Sequence, residues 1–148
     1  MAKVCVVSSC GGHLTEIRCL VSAYQDYSHV YVLNGRTALP ADMVGKTYFV
    51  AHSERDWKFL LNLWEALGIL WRERPAVLLS TGAGVIVPFA LVGRFLFGCH
   101  IIFIETITRV DKPSLTARIM YRLADEFYYQ WPSLAKFFPR GRCGGALL

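Results

Sequence analysis

Charge is what this sequence has least of. Only 18% of its 148 residues are Asp, Glu, Lys or Arg, against 54% hydrophobic and 14% aromatic residues. An ordinary soluble domain is about 25% charged, so an uncommon share of this surface is expected to face lipid or a partner rather than water. The net charge is +5, yet no run of four or more basic residues occurs, so no nucleic-acid arm and no nucleic-acid partner are expected. Scattered basic residues suit anionic lipid headgroups or a phosphorylated substrate equally well. The five cysteines (Cys5, Cys10, Cys19, Cys99, Cys143) are odd in number and form no C-x-x-C pair, which disfavours a disulfide framework and a structural zinc site; no metal or cofactor is expected. Cys5 and Cys99 lie in apolar runs and read as core. Cys10 reads as a small residue filling a tight turn, or as a reactive thiol. The opening Met1-Ala2-Lys3-Val4 passes into an apolar run that ends in Ser-Ser-Cys-Gly-Gly, without a leader pattern, so a cytoplasmic chain is expected.

Three signature motifs are missing too. G-x-G-x-x-G does not occur, and Leu33-Asn34 rather than an acidic residue closes the second apolar run, which disfavours a dinucleotide enzyme. G-x-x-x-x-G-K-[ST] and G-x-S-x-G are absent as well, which removes a P-loop and an α/β-hydrolase.

What is present is an alternation of strand-like and helix-like segments within a chain long enough for one domain, 1–148. Strands are predicted at Lys3–Ser8, Tyr27–Leu33, Thr47–Val50, Pro75–Ser80, His100–Glu105 and Glu126–Gln130. Helices are predicted at His13–Tyr24, Arg55–Arg74, Val85–Phe97, Pro113–Ala124 and Leu134–Phe138, with Ser53 as an N-cap and Asp56 supporting the first turn that follows. The Pro75–Ser80 run does not alternate, as suits a parallel strand covered on both faces. The pattern predicts an α/β fold: a Rossmann-like parallel sheet with helices on both faces.

The helix containing Phe59–Trp71 is the oddest segment. Within these 13 residues only Asn62 and Glu65 are polar, and they lie three apart on one narrow stripe. Thirteen helical residues span about 20 Å, short of the roughly 30 Å hydrocarbon core. Phe59, Leu63, Trp64, Leu67 and Trp71 are therefore candidates for resting on a membrane surface, with Lys58, Arg72 and Arg74 at headgroup level. The alternative is a helix buried between the sheet and a neighbouring subunit.

Right-handed crossovers bring three loops to the carboxyl edge of such a sheet: Ser9–His13, Thr81–Gly84 and Glu105–Arg109. In the first, Gly11-Gly12 allow a tight turn and close approach to a ligand, and the helix that follows favours an anion such as a diphosphate. His13 reads as a general base, as a hydrogen-bond partner of a phosphate, or as a helix cap. Glu105 reads as a base, as a ligand for a sugar hydroxyl or cation, or as an ion-pair partner of Arg109, which itself suits a phosphate. His13 and Glu105 are the catalytic candidates. Ser9, Gly11, Gly12, Thr81, Gly82, Gly84 and Arg109 are the substrate-binding candidates.

In chain order, Ser8-Ser9-Cys10-Gly11-Gly12-His13-Leu14-Thr15-Glu16, Ser80-Thr81-Gly82-Ala83-Gly84-Val85, Ile104-Glu105-Thr106 with Arg109-Val110, Ser114-Leu115-Thr116, Ala124-Asp125, Gln130-Trp131-Pro132 and Gly144-Gly145 cover nearly the whole chain. Together they resemble the MurG-like glycosyltransferases. Within these they are similar to the membrane-recruiting subunit of the two-subunit dolichol-linked N-acetylglucosaminyltransferase, and most similar to the bacterial PssD-type proteins of exopolysaccharide and capsule synthesis. The resemblance implies the amino-terminal half of a split GT-B enzyme that inverts the sugar and needs no metal. It implies a polyprenyl-diphosphate-sugar acceptor, a UDP-sugar bound mostly by a separate PssE-type subunit, and attachment to the cytoplasmic membrane surface through Phe59–Trp71 and Val85–Phe97. The family's Glu-Ser pair is Glu105-Thr106 here, which keeps the hydroxyl. The tail Gly144–Leu148 is implied to dock on the partner. Two other readings are a non-catalytic scaffold that recruits and activates that partner, and a lone nucleotide-sugar-modifying enzyme such as an epimerase, against which the missing dinucleotide fingerprint counts.

Overall fold

The computed structural model describes residues 2–52 and 56–148. Strands β1 (Lys3–Ser9), β2 (Ser28–Asn34), β3 (Lys46–Val50), β4 (Val77–Ser80), β5 (His100–Ile104), β6 (Glu126–Tyr129) and β7 (Arg142–Cys143) form one sheet in the order β3-β2-β1-β4-β5-β6-β7. Every pairing is parallel. The order reverses beside β1, where β2 and β4 flank it, and such a switch point opens a crevice at the carboxyl edge.

Alternate residues of β1 supply the two cores. Cys5 and Val7 point into the larger one, with Leu78, Ile101 and Phe103, under helices α3 (Lys58–Glu73), α4 (Ile86–Val92) and α5 (Leu115–Leu123). Val4 and Val6 point into the smaller one, with Leu14, Ile17 and Tyr24 from helices α1 (Gly12–Cys19) and α2 (Val21–Tyr24). This is the expected sheet with helices on both faces. The second face is only partly covered. Beyond α1 and α2, Leu20, Tyr24, Val77, Leu79, Ile102 and Ile104 line an apolar groove of about 390 Å³.

The elements differ from expectation in places. The first helix breaks at Leu20, whose N–H bonds Ile17 O at 3.0 Å, so α1 and α2 are separate. The Leu134–Phe138 helix is instead a single 3₁₀ turn at Pro132–Leu134. The glycine-rich tail adds the short edge strand β7, and just after it Gly144 N bonds Tyr129 O at 2.9 Å. Only pairing with β6 makes a strand of a segment with so little pattern of its own. Ser53 lies outside the described residues; Asp56 Oδ1 does accept from Lys58 N, at 3.1 Å. Arg74, in the left-handed region with φ 48°, ends α3, and Pro75 follows it.

α3 and α4 divide the apolar composition between them in an unexpected way. α4 is buried along nearly its whole length beside α3 and α5, so it is a core helix, and only its π-helical continuation exposes Phe95 and Leu96. On α3 the polar stripe faces inward. Asn62 is fully buried and donates to Ala51 O at 2.9 Å and Glu65 Oε1 at 3.1 Å, and Glu65 accepts from Ala51 N. The polar pair thus satisfies the backbone at the end of β3, and apolar side chains are left outside.

At the other end of α3, buried Glu73 accepts from Lys46 at 2.7 Å, from Tyr48 Oη, and from Lys3 at 2.9 Å. Hydrogen bonds from Lys46 and Tyr48, aided by Lys3, hold its carboxyl down at about 2, from an ordinary 4.5. Because the folded value is the lower one, the stability this group contributes is complete above about pH 4.5 and is lost as pH falls through about 2. Glu73→Gln should lower unfolding free energy at pH 7 by about 1–3 kcal/mol. In urea titrations the gap from the parent should close between pH 4.5 and pH 2; a pH-independent gap would mean that packing rather than charge is responsible.

Candidate active site

β1 ends at Ser9 and the chain turns at Gly11, whose φ of +105° is open to glycine at little cost. Gly11 O accepts from Leu14 N at 3.0 Å and Thr15 N at 3.2 Å, starting α1. Gly11 has no side chain with which to cap the helix, so the first turn directs uncapped N–H groups outward at the carboxyl edge.

The β4 loop fastens His13 at two points. Thr81 is fully buried; its Oγ1 donates to His13 O at 3.0 Å and its carbonyl lies 3.1 Å from His13 Nδ1. A carbonyl only accepts, so Nδ1 carries the proton in this contact, and Nε2 is left as the ring's lone-pair nitrogen. The ring packs on Gly82. A Cβ there would stand 2.6 Å from His13 Cε1 and 2.8 Å from Nδ1, and φ is +127°. Two independent constraints therefore require glycine at 82. Ala83 next to it also has a positive φ, 71°, a conformation uncommon for a residue with a Cβ.

Glu105 does not face this space. It is fully buried, accepts from Thr106 N at 3.0 Å and Ser114 N at 2.8 Å, and has Ser114 Oγ at 2.9 and 3.0 Å from its two oxygens. Ser114 in turn caps α5, accepting from Ala117 N at 3.0 Å. The carboxylate thus braces the loop between β5 and α5. Arg109 is exposed at that loop, and its guanidinium has no hydrogen bond or ion pair among the described residues. Ser9 is half-buried at the end of β1, and Gly84 is exposed in the turn before α4.

A cleft of about 320 Å³ opens between the first loop and the β5 loop, lined by Gly12, His13, Thr15, Glu16, Thr106, Ile107, Thr108 and Leu148. Of the candidate residues, Gly12 and His13 reach it. Thr81 and Gly82 support His13 from behind, and Glu105 supports the opposite wall. The residue that sequence reasoning left without a role is Glu16. It is 1% exposed, and its Oε1 accepts from Ile107 N at 2.7 Å and Gln130 Nε2 at 2.8 Å. Gln130 also donates to Glu105 O at 3.0 Å and accepts from Leu147 N at 2.8 Å. Trp131 Nε1 donates to Ile107 O at 2.6 Å. The available signals were the three-residue spacing of His13 and Glu16, which puts them on one helix face, and a glutamine at the end of an apolar strand.

The α3 surface lies away from this cleft. Phe59, Leu63 and Leu67 are half-buried against the larger core. Trp64 and Trp71 are 74% and 64% exposed, and Trp57, Leu60, Phe95 and Leu96 are exposed as well. The Trp71 and Phe97 rings meet at 6.4 Å, joining the α3 and α4 parts of this surface, and the Arg74 guanidinium lies 4.2 Å from the Trp71 ring centroid. No helix among the described residues is long and apolar enough to cross a membrane. Among the described residues no group of His, Cys, Asp or Glu is placed to hold a metal ion.

Residues 37–147 match the family described as "Oligosaccharide biosynthesis protein Alg14 like". The chain belongs to the Alg14-like family. It is 27% identical to the human UDP-N-acetylglucosamine transferase subunit ALG14, over 93% of this chain and 79% of that protein. It is 33% identical to the Candida albicans protein of the same name, over 73% of this chain and 50% of that one. Among solved structures it resembles Acinetobacter baumannii MurG (TM-score 0.72, 16% identity, 89% of this chain) and Rickettsia bellii UDP-N-acetylglucosamine 2-epimerase (TM-score 0.78, 14% identity, 99% of this chain). It spans 42% and 45% of those two chains. At such identities the likeness establishes the fold: the Rossmann-like half of a GT-B protein. The family match begins after β2, so the His13 loop lies outside it.

Proposed function

We propose that this Alg14-like chain is the acceptor-binding, membrane-associating half of a two-chain inverting glycosyltransferase. The sugar moves from a UDP-sugar to a polyprenyl-diphosphate-linked acceptor. UDP-N-acetylglucosamine is the donor class suggested by the relatives' names. Exopolysaccharide or capsule synthesis, with a PssE-type partner, is the setting the motif order favours. The observation that carries the reading is the cleft: an uncapped helix N-terminus and a histidine with one bare nitrogen share one wall. The acceptor's diphosphate would lie at Gly11-Gly12, with Arg109 as its counter-charge. Its hydroxyl would lose a proton to His13 Nε2 as its oxygen bonds to the anomeric carbon, and the nucleoside diphosphate would leave with the electron pair of the broken C–O bond.

Two surfaces support a partner and a membrane. The uncovered apolar groove on the α1 face suits a segment of the donor-binding subunit. The exposed tryptophans of α3 suit the cytoplasmic membrane interface, with the polyprenyl chain alongside. Glu105, braced away from the cleft, acts in this reading by holding the β5 loop in place. The test is co-expression with the adjacent reading frame and an assay of sugar transfer to a lipid diphosphate acceptor. Transfer by the pair and none by either chain alone is expected. Transfer by this chain alone, or none by the pair, would overturn the reading.

A further inference from the structure

Glu16 Oε2 is the one buried side-chain oxygen or nitrogen among the described residues without a hydrogen-bond partner. It belongs to a side chain 1% exposed, on the wall of the cleft, 3.8 Å from His13 Nδ1. A buried acceptor left unpaired is costly, and native proteins rarely keep one without use. Its position is not slack. Oε1 of the same carboxylate is fixed by Ile107 N and Gln130 Nε2, so Oε2 is aimed by groups from two other loops. The Nδ1 separation is about 1 Å beyond a normal N–H···O distance, so a direct bond requires the ring to turn toward the carboxylate.

We propose that Glu16 is the positioning residue of His13. With the ring turned, its Oε2 joins the Thr81 carbonyl in accepting from Nδ1–H, which keeps Nε2 bare to accept the proton of the attacking hydroxyl. As Nε2 gains that proton the ring becomes cationic, and it turns toward the carboxylate that stabilises it. This rests on His13 acting as the base proposed above. It adds that the base is tuned by a residue held from β6 and the β5 loop, so the cleft works only when both walls are in place.

Glu16→Gln is the test, because the amide keeps an oxygen for Ile107 and Gln130 but presents N–H groups where Oε2 stood. In the full chain, ¹⁵N shifts of the His13 ring, assigned with His13→Ala, should show a lower Nδ1-protonated fraction than in the parent. In the assembled pair, kcat should fall about 10–100-fold with KM for both substrates little changed. On a His13→Ala background the same change should cost nothing further, since its effect passes through the ring. Glu16→Asp should restore part of the Nδ1-protonated fraction. An unchanged tautomer balance overturns the proposal, as does an additive loss on the His13→Ala background, which would mark a purely structural role. A rise in acceptor KM at constant kcat also overturns it, since Oε2 would then bind substrate instead. If His13→Ala alone has no effect on turnover, the base assignment fails, and the ring spectrum still reports whether Glu16 holds the tautomer.

Discussion

His13→Ala should lower sugar transfer by the assembled pair about 10²–10⁴-fold, the range for removing a general base. Assembly should be intact, because His13 is a cleft residue and the partly covered groove on the α1 face is formed by other side chains. The fold should persist as well. The ring is half-buried, and its one hydrogen bond is to a carbonyl. The Thr81 Oγ1 bond goes to the His13 backbone and survives the change. The measurement is single-turnover transfer at saturating donor and acceptor, alongside co-purification of the two chains. Parental turnover by the mutant pair would leave the histidine outside the chemistry and favour a scaffold that only recruits and activates its partner.

Trp64→Ser with Trp71→Ser should abolish most binding to anionic liposomes. Each indole can bury up to about 200 Å², and at about 25 cal/mol per Å² partial insertion is worth about 2–3 kcal/mol apiece. The pair of changes should therefore weaken partitioning at least about 100-fold. Both side chains are largely exposed, so the fold should lose little. Flotation of the chain on vesicles reads the outcome directly. Unchanged flotation, with co-purification of the partner lost, would turn this surface into a protein interface. Phe59, Leu63 and Leu67 are unsuitable for the test, because they pack on the core and their truncation would unfold the helix.

The gradation across the candidate residues has a physical basis. The turn at Gly11 was legible because positive φ admits few residue types, and the place of His13 beside it because the carboxyl edge of a parallel sheet collects its loops. Glu105 was legible as an unusual residue, an acid closing an apolar strand, but its direction was not. Strand-end carboxylates look alike whether they face a cleft or a serine nine residues on, and Ser114 decides this one. Glu16 gave only its spacing to His13. Its fixed oxygen depends on Ile107 and Gln130, 91 and 114 residues away. A half-exposed helix and a core helix were inseparable by composition, since Phe59–Trp71 has only two polar residues and Val85–Phe97 only one. Their places in the α3–α4–α5 layer bury the second as far as Gly93 and leave one face of the first exposed.

The sequence by itself determined the alternation of strands and helices, the parallel sheet with helices on both faces, the three loops at one edge and the excess of apolar surface. Each follows from local periodicity, from the few conformations glycine and proline permit, and from the handedness of crossovers. Only the tertiary structure decided which face of α3 is wet, that a patternless tail pairs as a seventh strand, and that Glu105 braces while Glu16 reaches toward His13. Those outcomes depend on contacts between residues far apart in the chain. A side chain's surroundings there are set by burial and by which distant backbone groups still need a partner, and neither leaves a mark at the residue itself.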